Sequence, residues 1–264
     1  MSALDSSAVV AASNAWVWYP DDATVVDTDD RLLVRWPDHV GLPPTLNRFA
    51  PAGDLEEAFG EVVAQVRAWG DRELVAWVRL DCPAGLEDLL RARGGRPEET
   101  VDVFAQSLAG VRDLHVPAGI EVRWRNDPET IRDGAVVSVA AFGEGTVPDD
   151  ERARKWAAEY AADHAVGRGG SVVVYVDGRP AGTGGLTLAD GVARLWGGAT
   201  HPDLRGHGAY RAVLAARLAY AADHGATMAL VKGRVETSGP ILRRAGFEAF
   251  GQERSYRLPL LSQN

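Results

Sequence analysis

The sequence predicts an α/β protein in which strands and helices alternate, and three observations support this fold class. Continuous apolar stretches of strand length, such as residues 171–176, alternate with segments whose apolar residues recur at helical spacing. Turn pairs such as Asp177-Gly178 and N-cap residues such as Asp54 stand at the boundaries between them. A strand, a glycine-bearing turn and a long helix follow one another over residues 195–221.

Length and composition are those of a globular protein. The 264 residues, 46% hydrophobic and 25% charged, suffice for one large domain or two of ordinary size. Apolar runs stay well below the roughly 20 residues that a membrane helix needs. Residues 1–7 lack the basic start of a secretory signal, so we expect a cytoplasmic protein without a membrane partner. Cys82 is the only cysteine, which excludes an internal disulfide and zinc sites built on paired cysteines; we expect no metal site.

The net charge is distributed unevenly along the chain. Residues 1–117 carry a balance of −10 and residues 118–264 a balance of +1. The acidic half argues against a nucleic-acid partner and would tolerate a cationic substrate, whereas the near-neutral half could accept an anionic cofactor. An acidic solvated face explains the same charges without any function.

Residues 1–117 are predicted to form the first of two domains. The predicted elements are a helix over 3–15, strands over 16–19, 31–36 and 45–49, a helix that follows Asp54, a strand over 73–80, a helix over 84–93 and a strand over 100–108. The segment 111–119, which contains Pro117, is the predicted boundary. The second domain then covers residues 118–264.

The second predicted domain begins with a strand and two helices and ends with a strand. The predicted elements are a strand over 120–125, helices that begin near 128 and 148, strands over 171–176 and 181–188, the strand and long helix around the glycine turn, a strand over 227–231, a helix over 238–245 and a strand over 253–258.

The glycine turn has the features of a phosphate site. Pro202 ends the strand before it, because proline cannot donate to a ladder, and Arg205, Gly206 and Gly208 form a tight turn before the helix. A helix N-terminus presents unpaired backbone N–H groups and about half a positive charge. The glycines leave room for an anion and Arg205 adds a cation, so the turn is predicted to hold a phosphate. His207 is either a phosphate contact or a filler of the turn.

This turn resembles the acyl-CoA pyrophosphate loop of the GNAT N-acetyltransferase superfamily, whose pattern is Arg/Gln-x-x-Gly-x-Gly/Ala. Arg205, Gly208 and Tyr210 fill its three defined positions, and Tyr210 departs from the pattern, which has a small residue there. Two interpretations of Tyr210 remain open. Its phenol lies beside the phosphates or the substrate, or it turns inward as the first core residue of the helix.

The order of predicted elements over residues 118–264 is also similar to that of a GNAT domain. Residues 54–108 resemble the second half of such a domain without a phosphate loop. The resemblance implies the GNAT fold, with a mixed central sheet flanked by helices. It further implies a tandem arrangement whose N-terminal copy is degenerate and binds no cofactor.

The resemblance implies an N-acetyltransferase that moves the acetyl group of acetyl-CoA to a primary amine of a small molecule by direct attack. In the family, the pantetheine arm pairs with the strand before the loop, where two neighbouring strands splay apart. A backbone amide of that strand polarises the thioester carbonyl. The cofactor-binding residues implied by this resemblance are Gly198, Ala199, Thr200, Arg205, Gly206, His207, Gly208, Ala209 and Tyr210.

Two carboxylates are candidates for the base that direct attack requires. An attacking amine must be neutral, so a base or a chain of water molecules has to accept its proton. Glu236, just after the predicted strand at 227–231, and Glu144, between the first two helices of the second domain, stand in suitable segments. Both residues could equally be ordinary surface carboxylates.

The usual acid of the family is missing. Many relatives place a tyrosine four residues before the Gly-Phe pair that corresponds to Gly246-Phe247, and Leu242 stands there in this chain. Protonation of the thiolate is then left to Tyr256, Tyr210 or water.

Two further hypotheses follow from that substitution and from the loop. The missing tyrosine suits a non-catalytic acyl-CoA-binding module with a regulatory or sensing role. A structural dimerisation protein with an empty loop is the third hypothesis, against which the presence of Arg205, Gly206 and Gly208 argues. The sequence leaves the acceptor and the oligomeric state open, a homodimer included.

Overall fold

The computed structural model describes residues 4–110 and 113–260. The chain folds into two compact units that interleave in sequence. The first, here the loop unit, consists mainly of Phe104–Lys232 and Pro240–Ala249. The second, here the N-terminal unit, consists mainly of Ser6–Val103, Gly233–Gly239 and the chain from Phe250 onward. The domain boundary at residue 117 stays a prediction, and residues 111 and 112 of that segment lie outside the described residues.

Helices and strands alternate along the described residues, so the α/β class is confirmed. In the first half the elements are α1 (Ser6–Asn14), β1 (Thr24–Asp27), β2 (Arg31–Arg35), β3 (Thr45–Phe49), α2 (Leu55–Ala68), β4 (Glu73–Val78), α3 (Leu86–Ala92) and β5 (Arg96–Ser107). They continue with β6 (Ile120–Trp124), α4 (Pro128–Phe142), α5 (Asp150–Ala165), β7 (Gly169–Val176), β8 (Arg179–Ala189), β9 (Val192–Thr200), α6 (Ala209–Asp223), β10 (Met228–Arg234), α7 (Gly239–Arg244) and β11 (Glu248–Pro259).

The N-terminal unit is a mixed sheet covered by α2 and α3. Its strand order is β1-β2-β3-β4-β11-β5, with β3 and β4 parallel and β11 antiparallel to β4. The side chain of Asp54 caps α2 by accepting from the backbone N–H of Glu57, as predicted. Phe59 and Val66 of this helix are fully buried in a core that also contains Tyr256. Burial of each such apolar side chain contributes about 1.5–3 kcal/mol.

The loop unit contains the strand order β10-β9-β8-β7-β6. Strands β6 to β9 pair antiparallel in sequence, and β10 returns parallel to β9 after α6. Helix α6 packs across β7, β8 and β9 because its apolar residues recur at helical spacing. Leu214 and Leu218 of α6 are fully buried with Leu195 of β9 and Leu242 of α7.

The structure corrects one predicted strand and lengthens several others. Residues 16–19 form no strand, although their aromatic and β-branched residues favour one; Trp18 instead remains 69% exposed and its ring lies 6.2 Å from that of Trp36. Strands β5 and β11 begin earlier than predicted, and most of their added first residues are exposed and lack an apolar pattern. In the early part of β5, Glu98 accepts from Arg257 of β11 at 3.0 Å, so ion pairs replace the apolar pattern there.

None of the helices within the described residues is both long enough and apolar enough to cross a membrane.

Candidate functional site

Strand β9 separates from its parallel neighbour before either strand ends. The register between them runs from Met228↔Val192 to Val231↔Leu195 and stops there. Strand β9 nevertheless continues to Thr200, and β10 continues to Arg234. The opposite side of β9 stays paired with β8 as far as Gly182↔Thr200. The backbone of residues 196–200 is therefore free of the β10 ladder along one side, and Gly198, Ala199 and Thr200 lie in this stretch.

A β-bulge occupies the same part of β9. The register with β8 passes from Gly185↔Trp196 to Thr183↔Ala199, so that two residues of β9 oppose one residue of β8. Gly197, one of the two, has a φ of +60°, in the left-handed region that favours glycine. The bulge turns the peptide groups that follow it, which changes the direction of the amides at the separated end of the strand.

The predicted phosphate turn lies between this strand and α6. One turn of 3-10 helix, Pro202–Leu204, leads into Arg205, Gly206 and His207, all three of which are exposed. Gly206 has a φ of +84°, and a Cβ at this position would meet no atom within 4 Å. The imidazole Nδ1 of His207 lies 3.0 Å from the carbonyl oxygen of Arg205, which holds the ring within the turn.

Helix α6 begins without a side-chain cap. Gly208 occupies the N-cap position with a φ of +87° and has no side chain to accept from the first amides of the helix. A Cβ at Gly208 would lie 2.6 Å from the ring of Pro117, so the position has no room for a larger residue. Ala209, the first residue of the helix, is buried. The unpaired amides of a 15-residue helix thus face the turn that carries Arg205.

A buried arginine lies beneath the bulge. Arg217 of α6 is 1% exposed and donates Nη1 to the carbonyl oxygens of Gly185 at 3.1 Å and Trp196 at 3.3 Å. Burial lowers the pKa of this guanidinium, and the nearby phenol of Tyr210 opposes that effect. The sequence analysis missed Arg217. The sequence does contain a signal for it, because Arg217 is a charged residue within an apolar helix. It stands seven positions, and therefore two helical turns, after Tyr210.

Tyr210 bridges Arg217 and the separated strand. Its Cε2 and hydroxyl oxygen lie 3.3 Å and 3.5 Å from the position that a Cβ on Gly198 would occupy. The ring also packs, half-buried, against the core cluster that contains Leu214. The ring therefore packs against the core, as one interpretation of Tyr210 predicted, and the other interpretation, a phenol beside the phosphates or the substrate, stays a prediction.

Trp196 forms an aromatic wall with α5. Its ring covers Gly185, where a Cβ would lie 2.3 Å from ring carbons, and its Nε1 donates to the hydroxyl of Thr187 at 3.1 Å. The ring of Tyr160 meets that of Trp196 edge to face at 6.3 Å. Sequence reasoning did not find this wall, because it depends on a glycine in one strand that faces a tryptophan in the next.

The three predicted catalytic residues are not brought together in one unit. Glu144 is exposed in the loop between α4 and α5 of the loop unit. Glu236 is exposed in the turn after β10, within a segment that belongs to the N-terminal unit. Tyr256 lies in the core of the N-terminal unit at 0% exposure and donates its hydroxyl to Glu87 at 2.5 Å. Burial and this carboxylate raise the pKa of Tyr256, and its full burial argues against a role as the acid.

The geometry of the loop unit is that of the GNAT fold, and solved structures agree. A GCN5-related N-acetyltransferase from Kribbella flavida superposes with a TM-score of 0.66 at 20% identity and covers 90% of both chains. A GCN5-related N-acetyltransferase from Sphaerobacter thermophilus superposes with a TM-score of 0.65 at 17% identity, and the match covers 90% of this chain and 84% of the other. A tandem GNAT protein from the clavulanic acid biosynthesis pathway superposes with a TM-score of 0.62 at 16% identity, and the match covers 95% of this chain and 87% of the other. The predicted fold is confirmed by these similarities.

A protein-family model matches one part of the chain. Residues 138–246 match the model of the Acetyltransferase (GNAT) family, a range that begins within α4 and ends just after α7. The chain therefore contains a GNAT acetyltransferase domain, which includes the separated strand, the glycine turn and α6. Among curated proteins, none matches this chain.

Proposed function

We propose that this protein transfers the acetyl group of acetyl-CoA to a primary amine of a small molecule by direct attack. One observation carries the proposal: β9 leaves the β10 ladder at Leu195, and its free end leads through one turn of 3-10 helix to a glycine turn at the uncapped N-terminus of α6. An extended amide chain that ends in a pyrophosphate matches both parts of this arrangement. We take residues 1–117 to be a degenerate copy of the same fold.

The residues of the loop unit fit such a donor. Arg205 and the amides at the start of α6 suit the pyrophosphate, because a cation and a helix N-terminus both stabilise negative charge. Gly206 leaves the approach open, since a Cβ there would meet nothing within 4 Å. The free backbone groups at Gly198, Ala199 and Thr200 suit the amides of the pantetheine arm.

The chain's own groups can assist each stage of the transfer. The thioester supplies an acyl group that is activated for attack by an amine. An amide at the bulge, near Gly198, donates to the carbonyl oxygen as negative charge develops on it. Glu144 and Glu236 are proposed bases for the ammonium proton, and their exposure lets either act directly or through water.

Thermal unfolding with and without acetyl-CoA tests the donor site. At 100 times its dissociation constant a ligand stabilises by roughly 2.7 kcal/mol, which raises the unfolding midpoint by several degrees. We expect that rise in the wild type and a much smaller one in Arg205→Ala. Arg179→Ala is the matched control, because Arg179 is an exposed arginine of the same unit at the start of β8. Absence of any rise in the wild type at millimolar acetyl-CoA would overturn the proposal.

A non-catalytic acyl-CoA-binding module is the second candidate. Leu242, at the position of the usual tyrosine acid, is fully buried in the core of the loop unit. Release of free thiol from acetyl-CoA with a panel of primary amines separates the candidates. Stabilisation by acetyl-CoA without amine-dependent release of thiol across that panel would favour the binding module.

A further inference from the structure

The positive charge of Arg217 is buried among neutral partners. Within the described residues it donates to three backbone carbonyls, of Val213, Gly185 and Trp196. Its Nη2 and the hydroxyl oxygen of Tyr210 lie 3.6 Å and 3.5 Å from the position that a Cβ on Gly198 would occupy, so the two side chains meet beside the bulge. A buried charge without an opposite charge is destabilising, and apolar replacements of buried charged groups are often neutral or stabilising. The position is nevertheless prepared for the guanidinium, because a Cβ on Gly184 would lie 3.0 Å from its Nη1.

Of these described neighbours of Arg217, the three carbonyls can only accept hydrogen bonds, whereas the phenol of Tyr210 can also donate its proton. Tyr210 stands two helical turns before Arg217 on the same face of α6, and its hydroxyl reaches the backbone of β9 at Gly198. Two other tyrosines of the loop unit, Tyr175 and Tyr220, donate their hydroxyls elsewhere. Tyr175 donates to Asp133 at 2.6 Å, and Tyr220 donates to the carbonyl oxygen of His164 at 2.9 Å.

We propose that Tyr210 is the acid that protonates the departing thiolate of CoA and that Arg217 is the positioning residue that holds its phenol. This assignment rests on the proposed acetyltransferase function. It uses a tyrosine on α6, within reach of the separated strand, in place of the position that Leu242 occupies on α7.

In the proposed step one bond forms and one breaks. The amine nitrogen forms a bond to the acetyl carbon, and the carbon–sulfur bond breaks with its electron pair on sulfur. The phenol of Tyr210 gives its proton to that sulfur, and the proton lost by the amine goes to Glu144, Glu236 or a water molecule and from there to solvent. While Tyr210 is a phenolate, the fixed charge of Arg217 stabilises it, and water restores the proton before the next turnover.

Titration of the bound product tests the assignment without a known acceptor. The probe is CoA, whose thiol absorbs in the ultraviolet when ionised; desulfo-CoA, which lacks the thiol, is titrated in the same way and subtracted. A phenol that donates to the thiolate favours the ionised form, and a charge-assisted hydrogen bond of this kind corresponds to about one to two pKa units. We therefore expect the pKa of the thiol of bound CoA to be about one to two units lower in the wild type than in Tyr210→Phe.

Two further variants separate positioning from packing. Arg217→Lys keeps a cation beside Tyr210 and should retain part of the lowered thiol pKa, whereas Arg217→Met, of similar volume, should lose it. Tyr220→Phe is the matched control, because it removes a hydroxyl from the same helix away from the bulge and should leave the titration unchanged. All variants are compared at equal saturation with CoA.

The outcomes distinguish this proposal from the one on which it rests. If the wild type binds neither CoA nor desulfo-CoA, the acetyltransferase proposal fails. If both bind and the thiol titrates alike in the wild type and Tyr210→Phe, the donor site stands and the acid role of Tyr210 is refuted. Tighter CoA binding by Tyr210→Phe with an unchanged titration would identify Tyr210 as packing only, which also refutes the proposal.

Discussion

Replacing Gly185 with alanine should displace the ring of Trp196. The new Cβ would lie 2.3 Å, 2.3 Å and 2.5 Å from three carbons of that ring, closer than any real contact allows, and the backbone of β8 cannot shift away from two paired strands. Overpacking of this kind costs about 1–3 kcal/mol. If the ring swings away, the hydrogen bond from Trp196 to Thr187 is lost, at about 1 kcal/mol more. We therefore expect the free energy of unfolding to fall by about 2–4 kcal/mol.

Urea unfolding followed by circular dichroism measures this loss. Gly60→Ala is the control: Gly60 lies inside α2, a Cβ there would meet nothing within 4 Å, and the change should stabilise by about 0.5–1 kcal/mol. The double variant Gly185→Ala/Trp196→Ala removes the clash, so its loss should be smaller than the sum of the two single losses. An unchanged urea midpoint for Gly185→Ala, with the control shifted as expected, would refute the contact between Gly185 and Trp196.

Two other substitutions test the glycine turn and a buried tyrosine. Gly208→Ala should destabilise more than Gly206→Ala, because both have positive φ but only Gly208 also meets Pro117; thermal midpoints of the two variants check the order, and equal losses would contradict it. Tyr256→Phe should destabilise the N-terminal unit by about 1–3 kcal/mol at pH 7, since it removes the hydrogen bond that most lowers the pKa of Glu87. A carboxyl whose pKa is lowered by folding stabilises above its unfolded value near 4.3, and this contribution is lost as the pH falls through the folded value. The difference between wild type and Tyr256→Phe should thus shrink below about pH 4 in acid unfolding, and a constant difference would argue against the ionised pair.

The conformation of the glycine turn could be predicted because its signals are local. Pro202 and the glycines at 206 and 208 set the backbone of a few consecutive residues, and the structure gives both glycines the positive φ that the turn requires. The same holds for the cap of α2, where Asp54 and Glu57 are three residues apart.

The side-chain contacts beside the separated strand could not be predicted, because they form between segments that are distant in sequence. Arg217 is held by backbone carbonyls of β8 and β9, which are distant from it in sequence. The ring of Trp196 packs over Gly185 in the neighbouring strand. Residues 16–19 show the opposite error: their β-propensity is high, but a strand also needs a partner, and propensity alone does not supply one.

The position of β11 has a consequence for the order in which the chain can fold. This strand pairs with β4 from Arg254↔Val78 to Pro259↔Glu73 and contributes Tyr256 and Leu258 to the core of the N-terminal unit. The residues made first during synthesis therefore lack one central strand until nearly all of residues 1–259 have been translated. Long-range closure of this kind slows folding and leaves an unpaired strand edge exposed in the meantime. A nascent chain halted before β11 should remain susceptible to proteolysis throughout its N-terminal unit.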